Sequence, residues 1–288
     1  MTYKYFFGSD IRSIPYLEFL NNKIENLKVV TTEPKKSGRG RQIKQNPVED
    51  FCKVNKINFS YYSDSDLFTD MDYGLCVSFG AIFQDKFINN HPSIFNIHLS
   101  ALPKLIGPSP VETSILNGES LFSYTIFKIV KEVDKGPILF QNEVSVINNY
   151  SSNVYKALFV DFMSNFDSID FKSSLKEQTG KATRTNKFTK NDYFINNQNT
   201  LNEAKNKIKA FDVLGPAFIK FDSKIIKIHK YTENKSDFKI QLKDGFLHLD
   251  DITPEGKKRM KASDYMRGLN WKFLQAFKHQ IFIIFLKN

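Results

Sequence analysis

The chain has 288 residues, long enough for one large domain or two of ordinary size. Hydrophobic residues make up 41% and charged residues 25%, which excludes a chain that is disordered throughout. Two cysteines exclude a disulfide framework and a cysteine-only zinc site, and no run approaches 18 uncharged apolar residues, so no spanning helix is expected.

Tyr3–Phe7 reads as a first strand and not as a secretion signal. Gly8-Ser9-Asp10 follows, then Ile11, Ile14, Tyr16, Leu17 and Leu20 at helical spacing. Leu27–Thr32 is rich in β-branched residues and reads as a second strand. Pro47 opens a helix with Val48, Phe51 and Cys52 on one face. Leu75–Phe79, Ile94–Ile97, Phe122–Val130 and Pro137–Val146 are strand-like, and Ser151–Phe171 has a helical pattern. Strands alternating with helices predict an α/β domain with a Rossmann-like, mostly parallel sheet, whose ligands bind beyond the carboxyl ends of the strands.

From Ser173 the chain turns polar, and residues 173–203 are expected to link a domain over 1–172 to one over 204–288. Ala204–Phe211 reads as a helix. Phe218–Lys220, Lys224–Lys230, Phe238–Leu242 and Phe246–Leu249 are short strands with turn residues between them, the pattern of a small OB-like β-barrel. Charge divides in the same place. Residues 201–288 hold 18 basic and 10 acidic side chains, a surplus of eight, against a surplus of two over 1–200. A basic C-terminal third suits a polyanion, nucleic acid first, though a solvated lysine surface has the same composition.

Four segments carry chemistry. In Asn96-Ile97-His98, alternation places an amide and an imidazole on one side of a strand end, an arrangement suited to acyl transfer. An N-x-H alone also describes an ordinary strand end. Asp134, in the turn Glu132–Pro137, is the carboxylate suited to hold His98, or an ordinary turn aspartate bonding its own backbone. The stretch Lys35-Lys36-Ser37-Gly38-Arg39-Gly40-Arg41 reads as a basic loop able to meet a phosphate backbone, and it lacks P-loop spacing. Lys257, Lys258 and Arg259 form a second basic turn.

In order, G-S-D, the basic S-G-R-G-R loop, F-G-A-I-F from Phe79, N-I-H-L-S-A-L-P from Asn96 and E-V-D-K-G-P-I-L from Glu132 resemble the methionyl-tRNA formyltransferases, within the folate-dependent formyltransferases. Phe211–Lys230 and Ile252–Met260 resemble the C-terminal domain of that family, so the likeness spans most of residues 3–268. It implies formyl transfer from 10-formyltetrahydrofolate to the amine of methionyl initiator tRNA, in the cytoplasm, by a monomer with no metal and no membrane partner. Asn96 would donate to the oxyanion, His98 would assist charge and proton movement, and Asp134 would orient His98. The folate pocket would map onto Phe79, Gly80, Ala81 and Ile82, onto Ser100, Ala101, Leu102 and Pro103, and onto Val130 and Val133. The tRNA would meet Lys35, Lys36, Arg39 and Arg41, and Lys257, Lys258 and Arg259. The segment Leu105–Pro110 departs from the family pattern, lacking its arginine. That keeps an amino-sugar nucleotide open as acceptor, and an RNA-binding relative without catalysis is the third alternative. The apolar run Ile281–Leu286 is too short to cross a bilayer and is expected to pack as a strand or helix end.

Overall fold

The computed structural model describes residues 2–37, 42–221 and 223–269. Its elements in chain order are β1 (Tyr3–Phe7), α1 (Ile14–Lys23), β2 (Leu27–Thr31), β3 (Lys35–Ser37), β4 (Gln42–Lys44), α2 (Pro47–Asn55), β5 (Phe59–Tyr61), β6 (Met71–Cys76), α3 (Asp85–Asn90), β7 (Ile94–His98), α4 (Pro110–Leu116), β8 (Leu121–Lys128), β9 (Ile138–Ser145), α5 (Ser151–Asn165), α6 (Leu201–Ala210), β10 (Phe218–Phe221), β11 (Lys224–Thr232), β12 (Lys239–Gln241), β13 (Phe246–Pro254), β14 (Met260–Lys261) and α7 (Ala262–Arg267). The apolar run Ile281–Leu286 and the residues Arg39 and Arg41 lie outside the described residues.

Contacts divide the chain into two units. One comprises Met1–Pro110, Leu121–Ser145 and Tyr155–Thr185; the other comprises Val111–Ser120, Val146–Val154 and the chain from Asn186 onward. The stretch 173–203 is therefore shared, with 173–185 packed into the first unit.

The first unit is a seven-stranded sheet in the order β5-β2-β1-β6-β7-β8-β9. Pairing is parallel from β5 to β7 and antiparallel from β7 to β9. The sheet is Rossmann-like and mostly parallel, with an antiparallel edge. Two aromatic clusters form its core. Tyr5 and Phe7 alternate with Phe6 along β1, so both point into one cluster with Phe79, Phe83 and Phe87. Tyr16 and Phe19 of α1 meet Phe159 and Phe162 of α5 in the other, and Phe162 also meets Tyr124 of β8. The many phenylalanines thus fill a core; Phe7 meets Phe79, Phe83 and Phe87 edge-to-face, while Phe83 stacks on Phe79 and Phe87, both arrangements that ring quadrupoles favour.

Several boundaries differ from the sequence reading. Where 75–79 read as strand, β6 runs over Met71–Cys76. Tyr73 and Gly74 do not look like a buried strand, yet they pair with Lys4 and Tyr5 of β1, while Asp72 is skipped at a register shift; the chain bends at Ser78, whose φ is 45°. The basic loop is built as a two-stranded arm: Lys35 pairs with Lys44, Lys36 with Ile43 and Ser37 with Gln42. Helix α5 stops at Asn165, six residues before the predicted end, and a short 3-10 turn continues to Ser168.

In the second unit, β10 to β14 form a five-stranded antiparallel sheet, in the order β10-β11-β13-β12 with β14 beside β13. Register shifts between Ile228 and Tyr231 interrupt the β11–β13 ladder and curl the sheet towards a half-barrel. Helix α6 begins in a capping box: the Thr200 hydroxyl accepts from the Glu203 N–H, and the Glu203 carboxylate accepts from the Thr200 N–H. Among the described residues, no helix is long and apolar enough to cross a membrane.

Candidate active site

Strand β7 ends at His98, two residues after Asn96, so both side chains leave the same face. Cys76 of β6 lies in register with Asn96. Burial pushes the Cys76 thiol up, and the nearby charge of Asp134 raises it further. The Asp134 carboxylate also reaches the end of β7, where its Oδ2 lies 3.7 Å from the His98 ring. The Asn96 side-chain amide makes no hydrogen bond among the described residues and is half-buried, which leaves its N–H groups available.

The His98 ring is held from both sides. Its Nε2 lies 3.0 Å from the Leu105 carbonyl oxygen. A carbonyl can only accept, so Nε2 carries a hydrogen. Nδ1 faces the Asp134 carboxylate, with Oδ2 at 3.7 Å. That separation is an electrostatic contact and too long for a hydrogen bond. Both side chains are sheltered, His98 at 7% and Asp134 at 12% exposure. Asp134 Oδ2 also accepts from the Gly107 N–H at 3.0 Å.

The loops on either side are strained. Leu105 has φ 58° and Asp134 φ 55°, left-handed values unusual for such residues. Strain of this kind costs roughly 1–3 kcal/mol per residue and collects at functional sites. The turn beyond Asp134 requires glycine at 136, where a Cβ would lie 1.7 Å from the Lys128 carbonyl oxygen.

The residues expected to receive the donor divide into two kinds. Phe79 is 3% exposed and its ring belongs to the aromatic core, so only its backbone faces outward chemistry; the Ser9 hydroxyl donates to its carbonyl. Ser100 and Leu102 are buried and serve the loop after β7. The Ser100 hydroxyl donates to Lys104, and the Leu102 N–H donates to Thr125. Ala101, Pro103 and Val130 are half-buried, while Gly80 is exposed with φ 73°. Ile82, in the loop after β6, and Val133, next to Asp134 in the chain, are large apolar side chains left uncovered, at 73% and 53% exposure. Uncovered apolar groups next to a polar cluster are what a flat heteroaromatic ligand would shield. A cavity of about 730 Å³ beyond β1 and β2 is lined by Ser9, Ile11, Thr32, Asn46, Phe51 and Gly80, sharing Gly80 with the predicted donor residues.

The basic residues are placed in two groups. Lys35 and Lys36 lie on β3 of the two-stranded arm. Lys257, Lys258 and Arg259 occupy the exposed turn between β13 and β14. Two of these three have partners. Lys257 lies 5.3 Å from the Tyr265 ring centroid, and Arg259 donates from Nε and Nη2 to Asp251 Oδ2 at 3.0 and 2.7 Å. That guanidinium holds the Asp251 carboxyl below its usual range. Lys258 is exposed.

Sequence reasoning missed the backbone partners. Leu105 acts through its carbonyl and Gly107 through its N–H, roles that no side-chain chemistry announces. The glycine was the one available sign: at φ 120° it approaches Thr185 closely enough that a Cβ would meet the threonine hydroxyl at 2.8 Å.

Residues 9–165 match the family described as Formyl transferase, and residues 187–270 match the family described as Formyl transferase, C-terminal domain. The chain is 28% identical to a methionyl-tRNA formyltransferase of Pseudothermotoga lettingae, over 94% of this chain and 97% of that one. A solved methionyl-tRNA formyltransferase from Clostridium thermocellum superposes with a TM-score of 0.59 at 16% identity, over 91% of this chain and all of that one. An N-formyltransferase from Helicobacter canadensis, solved with folinic acid and dTDP-3-aminofucose, gives 0.62 at 20% identity, over 86% of this chain and 98% of that one.

Proposed function

The chain belongs to the formyl transferase family, and from that premise we propose that it moves a formyl group from 10-formyltetrahydrofolate to the free amine of methionyl initiator tRNA. The observation that carries the reading is the uncommitted Asn96 amide on the same strand face as His98, with Asp134 3.7 Å from the ring. When bound, the folate supplies an activated formyl carbon on its N10.

The chain's own groups do the rest. Asn96 donates an N–H to the formyl oxygen as negative charge grows there when the amine attacks. A positioned donor of this kind is worth about a hundredfold or more in rate. His98, with Nε2–H committed to Leu105, has only Nδ1 to exchange protons, and Asp134 stabilises positive charge on the ring. The pair thereby assists removal of the amine proton and its delivery to N10 as the carbon–N10 bond breaks. Ile82 and Val133 cover the donor ring and exclude water, together with the loop Ser100–Pro103.

The acceptor is read from charge and from the second unit. The lysine-bearing arm β3–β4 and the surplus of eight basic residues over 201–288 suit a phosphate backbone far better than one nucleotide sugar. In this reading the first unit carries the transfer and the second grips the acceptor arm, in the cytoplasm, with no metal required. The test offers one folate donor with two acceptors, methionyl initiator tRNA and a dTDP-amino sugar. Formyl on the tRNA alone is expected; formyl on the sugar alone overturns the assignment.

A further inference from the structure

The stretch 176–185 is polar and looks like linker, yet it is tied to both loops that hold the candidate catalytic pair. On the Asp134 side, Lys176 pairs with Ile138 through backbone bonds of 2.7 and 2.8 Å. The Gln178 amide then donates to two carbonyls, those of Asp134 at 2.9 Å and Gly136 at 2.8 Å. On the His98 side, the Leu105 N–H donates to the Thr183 hydroxyl at 2.9 Å. The Ile106 N–H donates to the Thr183 carbonyl and the Thr185 N–H to the Ile106 carbonyl, both at 2.8 Å. The Thr185 hydroxyl accepts from the Ser109 N–H at 3.2 Å.

These contacts converge on two atoms. Leu105 turns its carbonyl towards His98 Nε2 from a left-handed conformation, and Thr183 pins the N–H of that same residue. Asp134 turns its carboxylate towards His98 Nδ1 from another left-handed residue, and Gln178 pins its carbonyl. Left to themselves, both strained turns would relax towards ordinary backbone angles. Two side chains of one short strap oppose that relaxation on both sides of one imidazole.

We infer that residues 176–185 are a positioning strap for the His98–Asp134 pair, with Thr183 and Gln178 as its positioning residues. Thr183 selects the Nε2–H tautomer by fixing the Leu105 carbonyl, and Gln178 fixes the carboxylate that faces Nδ1. Neither residue touches substrate. The inference rests on the proposed formyl transfer for its kinetic readout only.

The experiment compares wild type with Thr183→Val, Thr183→Ser and Gln178→Leu. It reads melting temperature, kcat and both KM values with methionyl initiator tRNA, and the nitrogen NMR signals of His98 in the free protein. Misplacement of a reacting group by about 1 Å costs up to about a hundredfold. Thr183→Val and Gln178→Leu are expected to lower kcat about 10- to 100-fold, with KM for both substrates within about threefold, and to move the His98 nitrogen signals. Thr183→Ser keeps the accepting oxygen and is expected to restore wild-type kcat and signals. Unchanged kcat, unchanged nitrogen signals, or a loss that Thr183→Ser shares overturns the inference. If Thr183→Val does not fold, Gln178→Leu on the other loop decides by the same criteria. A wild-type protein that formylates neither acceptor contradicts the proposed function, and the nitrogen signals still decide the strap.

Discussion

The two nitrogens of His98 have different tasks. Nε2 spends its hydrogen on the Leu105 carbonyl and fixes the ring, while Nδ1 faces Asp134 and is the nitrogen left for proton movement. Asn96 stands apart, since among the described residues its amide has no partner to lose. Asn96→Ala should therefore lower kcat about 100- to 1,000-fold while leaving the melting temperature within about 2 °C. Asp134→Asn keeps shape and an acceptor for Gly107 but removes the charge, and should lower kcat at least about a hundredfold. Steady-state kinetics beside thermal melts would check both, and wild-type turnover in either variant would remove that residue from the mechanism. Asn96, His98 and Asp134 were legible in the sequence because an amide, an imidazole and a carboxylate carry their chemistry in their side chains. Leu105, Gly107, Thr183 and Gln178 were not, because their parts depend on where a carbonyl or N–H points, which only the folded loops decide.

Among the elements, the turn from β8 to β9 positions Asp134. Pro137 accepts from the Lys128 N–H at 2.9 Å, which draws the chain at Gly136 hard against Lys128. Gly136→Ala would drive a methyl group into the Lys128 carbonyl, and the turn would have to open. Destabilisation of about 2 kcal/mol or more is expected, a fall of roughly 4–8 °C in melting temperature, with loss of transfer activity. A calorimetric melt unchanged from wild type would show that this turn yields easily. Strands of mostly apolar residues, such as β1, β2 and β7, were legible because their side chains are buried or half-buried on both faces. The start of β6 was not, since Gly74 enters the sheet by pairing with β1 and β7 and not by propensity, and Asp72 is skipped at a register shift. The arm β3–β4 was read as loop for a related reason: among the described residues it pairs only with itself, and lysine is a weak strand former.

Across the whole molecule, charge follows the proposed division of labour. The basic surplus falls over 201–288, most of which matches the C-terminal formyl transferase family, while residues 1–200 are nearly neutral. Binding through phosphates releases counterions, so KM for methionyl initiator tRNA should rise at least about tenfold between 50 and 200 mM salt. KM for the folate donor should change little over the same range. Equal salt responses for both substrates would argue against an electrostatic grip on the tRNA. The alternation of strands and helices, followed by short strands, made both folds legible. The antiparallel edge β8–β9 was less so, because strand direction is set by connections and not by composition. The proposed transfer stands on one piece of geometry, a formyl group delivered to Asn96 and His98. A crystal structure with a stable formyl-folate bound tests it most directly. The formyl oxygen is expected within hydrogen-bond distance of the Asn96 amide, about 3 Å, with the pterin ring covered by Ile82 and Val133. A folate bound elsewhere, with its formyl group turned away from β7, would contradict it.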